Sequence, residues 1–285
     1  MTRWHRFLVA FLLVAPSSFA ASRIECGSVP SKFVPPAVRY CALLPASSNT
    51  SKTPDKTLPA IYFLHGLGQD AESLFNDGLW NLVDNLRQKK QLGEFVIIIP
   101  DAGRSFYINS KDGRIRYEDF FLREFIPAME KKYHLGHSRQ SRAISGISMG
   151  GYGALRYAFK HPEMFAAVSV HSAALIENLP AGAGPAGMGS FVGPAFGRPL
   201  DTAYWKRESP FVFARNGNLA GLSIYFDCGD QDQYGFEAGT EALHRILSSR
   251  KIAHEYHIYS GGHDWRYFSQ HLPASLEFDA KVLKK

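Results

Sequence analysis

The chain has 285 residues, 45% hydrophobic and 20% charged, which is enough apolar material for a sizeable core and too much for a disordered chain. Its net charge of +6 falls to +4 without Arg3 and Arg6, and the excess is scattered along the sequence. No basic and aromatic stretch is gathered as a nucleic-acid face requires, so nucleic-acid binding is not supported.

Residues 1–20 follow the grammar of a cleavable signal peptide: Arg3 and Arg6, an apolar run over 7–15, and a small-residue exit at Ser18-Phe19-Ala20. That run is too short to remain as a membrane helix. Cys26 follows Arg23-Ile24-Glu25 rather than the small residues of a lipoprotein site. The expectation is export to periplasm or medium, cleavage near Ala20, and a mature chain with no stable membrane anchor. Residues 23–27 and 38–44 then offer two short strands able to pair antiparallel. They carry Cys26 and Cys41, so an oxidising compartment permits a disulfide there and leaves Cys228 as a buried thiol. The alternative is three unlinked thiols.

A polar turn over 49–56 leads into the apolar run 58–64, of the kind buried on both faces of a parallel sheet, which ends in His65-Gly66-Leu67-Gly68. A helical pattern spans 79–86 and a second buried strand spans 95–99, closed by Pro100-Asp101. Residues 117–133 are amphipathic, with Phe120, Phe121, Phe125, Ile126 and Met129 inward and a kink expected at Pro127. Then comes Gly146-Ile147-Ser148-Met149-Gly150, which reads G-x-S-x-G between a β-branched run and a small-residue helix. In a strand, sharp turn and helix of this kind a strained serine stands at the apex with its hydroxyl proud of the sheet.

Strand and helix patterns alternate again through 165–170, 222–226, 236–247 and 254–259. This predicts an α/β fold, a mostly parallel central sheet with helices on both faces, whose ligands bind beyond the carboxyl ends of the strands. The rhythm breaks at residues 179–200, rich in Gly and Pro and without a usable period. With 201–216 they read as a cap inserted into a single domain over 21–285.

A serine nucleophile needs a base, and the base needs an orienting carboxylate. Of eleven histidines, His263 in the flexible turn Gly261-Gly262-His263-Asp264-Trp265 is the best placed, with His171 at another strand end as the runner-up. The turn after residues 222–226 supplies Asp227, Asp230 and Asp232, and position alone does not separate Asp230 from Asp232. The order serine, aspartate, histidine is that of an α/β-hydrolase. Oxyanion donors are expected from the N–H groups of Met149 and Leu67, each worth about 2.7 to 4 kcal/mol. Gly66 and Gly68 let the backbone approach a substrate, which Trp265 also borders. Asp230, Asp232, Gly235 and Glu241 match part of a calcium-loop spacing, but Tyr234 replaces a ligand and a strand precedes it. No zinc spacing is present around His263.

From about Tyr40 to Phe278 the chain resembles the esterase D and S-formylglutathione hydrolase group of α/β-hydrolases, which includes feruloyl and acetylxylan esterases and mycolyltransferases. The resemblance is carried by Phe63-Leu64-His65-Gly66-Leu67-Gly68, Tyr117-Glu118-Asp119-Phe120, Gly146-Ile147-Ser148-Met149-Gly150-Gly151, Phe196-Gly197-Arg198-Pro199, Ser209-Pro210, Asp227-Cys228-Gly229-Asp230-Gln231-Asp232 and Gly261-Gly262-His263-Asp264-Trp265. It implies Ser148 as nucleophile, His263 as base, Asp232 rather than Asp230 as acid, and oxyanion donors at Leu67 and Met149. The expected activity is hydrolysis of carboxylic esters, short-chain or polysaccharide-linked, with no cofactor or metal. The export signal and the cap depart from a cytosolic formylglutathione hydrolase. A non-catalytic binding protein on the same fold would have lost a triad member, and none is lost.

Overall fold

The structure is a computed structural model that describes residues 22–46, 57–178 and 188–283, without the side chains of 188–190. The expected signal peptide, the polar turn at 49–56 and the first residues of the cap, 179–187, lie outside the described residues.

Strands β1 (Arg23–Pro30) and β2 (Ala37–Leu44) form an antiparallel hairpin in which Cys26 stands opposite Cys41. Their sulfur atoms lie 1.97 Å apart, in a disulfide. Next come β3 (Ala60–Leu64), the short helices α1 (Ser73–Asn76) and α2 (Leu79–Gln88), and β4 (Val96–Pro100), whose Val-Ile-Ile-Ile-Pro sequence is buried throughout. Strand β2 joins β4 antiparallel, and from there every pairing is parallel.

The amphipathic stretch 117–133 divides into α3 (Tyr117–Phe120), a π-helical turn (Phe121–Phe125) and α4 (Ile126–Tyr133). The irregularity expected at Pro127 thus sits in the turn before it. The proline ring and its missing N–H prevent regular bonding to the preceding turn, and the wider π turn absorbs that loss. Strand β5 (Arg142–Ile147), α5 (Met149–Lys160) and β6 (Ala167–His171) follow, then the cap helices α6 (Met188–Phe196), α7 (Thr202–Glu208) and α8 (Pro210–Asn216). The chain closes with β7 (Ser223–Gly229), α9 (Phe236–Ser249), β8 (Glu255–Tyr259) and α10 (Trp265–Leu283).

The eight-stranded sheet runs β1-β2-β4-β3-β5-β6-β7-β8. Period-two alternation sends Tyr62 and Leu64 of β3 to one face, against Phe121, Phe125 and Tyr157, and Ile61 and Phe63 to the other, against Leu79, Val83 and Leu272. Both faces are therefore covered, as a parallel sheet requires. This is the α/β-hydrolase fold.

The described part of residues 179–216 is helical where the sequence shows no period. Gly193 and Pro194 interrupt the pattern of α6, but Val192, Ala195 and Phe196 are all buried. The ring of Phe196 sits 4.6 Å from that of Trp205 on α7. Burying such a phenylalanine stabilises by roughly 1.5–3 kcal/mol. Asp201 caps α7 by accepting the Tyr204 N–H at 2.8 Å, and Ser209 with Pro210 starts α8. The Tyr152 hydroxyl donates to Glu208 O at 2.8 Å, and Arg156 pairs with both Glu118 and Glu208, so the cap is bolted to α5.

Candidate active site

Helix α5 starts directly on Ser148, whose φ of 54° and ψ of −119° lie where an L-residue is strained. Close packing holds that turn: a Cβ on Gly150 would stand 1.9 Å from Leu64 O, so β3 passes where no other residue fits. The Ser148 N–H donates to His171 O at 3.1 Å. The hydroxyl itself has no hydrogen-bond partner among the described residues and lines a cavity of about 750 Å³.

His263 lines the same cavity, in the loop between β8 and α10. Its Nδ1 is 2.8 Å from Asp232 Oδ2, and the rings of Tyr234, Phe236 and Phe268 stand edge-on around it at 4.9, 5.4 and 5.3 Å. With Nδ1–H donating to the carboxylate, Nε2 carries the lone pair. Asp232 Oδ1 accepts the Tyr234 N–H at 2.9 Å. Burial pushes this carboxyl up, but its interaction with His263, with help from the Tyr234 N–H, outweighs burial and holds the group below its ordinary value. The Cys228 thiol, pushed up to about 12 by burial, lies 3.6 Å from the same Oδ2 as a neutral donor.

The two aspartates that position could not separate are divided by their partners. Asp230 Oδ1 accepts the Gly261 N–H at 3.0 Å and shapes the turn, while Asp232 reaches the imidazole. Asp230 and Asp232 are thus engaged with this turn, and Glu241 pairs with Arg245, so the calcium-loop spacing gathers no ligand set. Among the described residues the only cluster of metal-ligating side chains is Cys26, Cys41 and Glu72, whose sulfurs are bonded to each other.

Gly66, Leu67, Gly68, Met149 and Trp265 also line the cavity. Neither the Leu67 nor the Met149 N–H has an acceptor among the described residues, whereas the neighbouring Gly66 N–H is taken by Gln69 Oε1 at 2.9 Å. Sequence reasoning missed His65, which sets this loop. It is fully buried, its Nδ1–H donates to Gly66 O at 2.8 Å and its Nε2 accepts the Ala102 N–H at 3.0 Å. Only a neutral ring satisfies both bonds, and burial lowers its pKa to match. A polar residue ending an otherwise apolar strand was the available signal.

His171 is not brought to the cavity. Its ring is wholly buried between Asp227 Oδ2 and Ser275 Oγ, each 2.7 Å away. The Tyr225 and Tyr267 hydroxyls donate to the same aspartate at 2.9 and 2.7 Å.

A family model described as "Putative esterase" matches residues 37–278. An esterase of Mycobacterium tuberculosis is 29% identical over 246 residues, covering 79% of this chain and 52% of that protein. The acetyl esterase of Caldicellulosiruptor saccharolyticus is 23% identical over 275 residues, covering 88% of this chain and 96% of that one. A solved ferulic acid esterase superposes with a TM-score of 0.79 at 26% identity, covering 92% of this chain and 99% of that one. The chain spans about half the length of the first curated relatives it matches. With the match running from β2 into α10, the chain belongs to the esterase family, on the α/β-hydrolase fold.

Proposed function

We propose that the protein is an exported serine carboxylesterase that works through an acyl-enzyme. The observation that carries this reading is the Asp232–His263 pair on the wall of the cavity into which Ser148, in its strained turn, projects. Ser148 Oγ attacks the ester carbonyl while His263 Nε2 takes its proton. The developing oxyanion is held by the Leu67 and Met149 N–H groups, and Asp232 remains ionised to steady the imidazolium. His263 then gives the proton to the departing alcohol. A water activated by the same ring releases the acid and restores Ser148. The hydroxyl and the ring share no hydrogen bond in the free protein, and such contacts commonly tighten only with substrate bound.

Export is supported by the signal-like residues 1–20 and by the Cys26–Cys41 disulfide, a bond at home in oxidising compartments. Among the described residues no helix is long and apolar enough to cross a membrane. Short-chain acyl esters are the expected substrates. A second reading is feruloyl or acetylxylan ester hydrolysis, and its feruloyl branch is favoured by an aromatic-lined cavity of about 750 Å³, larger than an acetyl group needs, and by the likeness to a ferulic acid esterase. Rates on aryl esters of increasing acyl length, with feruloyl and acetylated-sugar esters alongside, decide between the two. Hydrolysis that survives Ser148→Ala removes both.

A further inference from the structure

The mouth of the cavity carries a charge that no carboxylate among the described residues neutralises. Arg104, exposed in the loop after β4, lines the cavity that holds Ser148 and His263. Its guanidinium stands over the ring of Phe191 on α6, 6.0 Å from the centroid. Among the described residues it has no carboxylate partner, whereas Arg116, Arg142 and Arg215 each have one and Arg156 has two. Residues 179–187, outside the described residues, contain no acidic side chain. The one carboxylate among the described lining residues, Asp264, has its Oδ1 engaged with the Tyr267 N–H at 2.9 Å at the head of α10 and forms no ion pair with Arg104. Phe191 is 50% exposed, so cation and ring together make an open rim on an otherwise mainly apolar cavity.

A guanidinium is weakly hydrated and presents a planar fork that fits a carboxylate with two parallel hydrogen bonds. Beside an aromatic face, facing an apolar cavity and without a carboxylate partner among the described residues, it is preorganised for such a group. We propose that Arg104 selects esters that carry a carboxylate on the portion projecting to the cavity mouth, gripping it against Phe191. This rests on the serine esterase reading above and adds a substrate class to it. The carboxylate is a spectator: Ser148 displaces the alcohol from the ester carbonyl, water then releases the acid from Ser148, and Arg104 holds the charge throughout.

Two pairs of aryl esters test it at neutral pH. The para-nitrophenyl hemiester of adipic acid and its methyl ester place or mask the charge on the acyl side. Meta-carboxyphenyl acetate and its methyl ester do so on the alcohol side. The protein is expected to show a higher kcat/KM for the charged member of one pair, which also says which portion faces the rim. Arg104→Gln lowers that charged-to-neutral ratio about tenfold, the value of one charge-assisted hydrogen bond at a partly exposed site, and Arg104→Glu lowers it further. Arg104→Lys restores only part, because the fork is lost. A protein that hydrolyses the neutral esters without preferring either charged one, or a preference untouched by Arg104→Gln, overturns the assignment and leaves the esterase reading standing. Failure to hydrolyse any of the four esters overturns that reading, and the assignment with it.

Discussion

Two aspartate–histidine pairs lie close together in this molecule. In one, Asp232 stands 2.8 Å from His263; in the other, Asp227 stands 2.7 Å from His171. Both carboxyls are raised by burial and pulled back below their ordinary value by the histidine. What differs is the far nitrogen. His171 Nε2 meets Ser275 Oγ at 2.7 Å with no exposure to solvent. His263 Nε2 has no partner among the described residues, and its ring lines the cavity. An aspartate beside a histidine is therefore no mark of reactivity; an imidazole nitrogen left open toward a cavity is. The inner pair instead holds α10 to the sheet, and the His171 carbonyl accepts the Ser148 N–H at 3.1 Å.

The contrast breaks most sharply at Ser148. Ser148→Ala is expected to cut kcat about a millionfold with the melting temperature retained; an active variant would mean that the outer pair serves some other group. Asp232→Asn should cost about ten-thousandfold at neutral pH, since the amide favours the wrong imidazole tautomer. Asp230→Asn, which keeps the Oδ1 that accepts the Gly261 N–H, should retain most of the activity.

The inner layer answers in stability instead. Asp279 is fully buried, its carboxyl pushed up to about 8 by desolvation. The Ser169 hydroxyl lies 3.0 Å from Ser145 Oγ and donates to Asp279 Oδ2 at 2.7 Å, a bond that favours the carboxylate but does not offset the burial. Between its ordinary 3.8 and about 8 the native state holds a proton that the unfolded chain has lost. Stability therefore falls as pH rises through that window, by up to about 1.4 kcal/mol per pH unit. Asp279→Asn mimics the neutral acid and should remove this slope from melting curves taken across the same range. The smallest effect is expected at the inner pair itself: Ser275→Ala should lower stability by about 1 kcal/mol through an orphaned buried nitrogen, with kcat/KM unchanged. A large loss of activity there would erase the distinction between the two pairs.

Much of this architecture was legible from residues alone. The apolar runs at β3 and β4 and the glycine-flanked Ser148 announce a parallel sheet and its sharp turn, because burial on both faces and close backbone approach leave few residue choices. Helix α6 was not legible, since Gly193 and Pro194 blur its period and its burial comes from partners such as Trp205 that are distant in sequence. Asp230 and Asp232 share one turn, and only the path of the loop from β8 decides which reaches His263; family resemblance, not spacing, chose between them. His171 looked eligible because strand-end position says nothing of what packs above it, and α10, which buries it, was not read from the sequence.

The cap leaves the sheet at β6 and returns at β7, two strands that already hydrogen-bond to each other. Their register is therefore indifferent to how many residues intervene. Residues added on the outer side of this segment would leave the strand pairing unchanged, whereas Val192 and Trp205, buried on the cavity wall, tie its inner side to the space above Ser148.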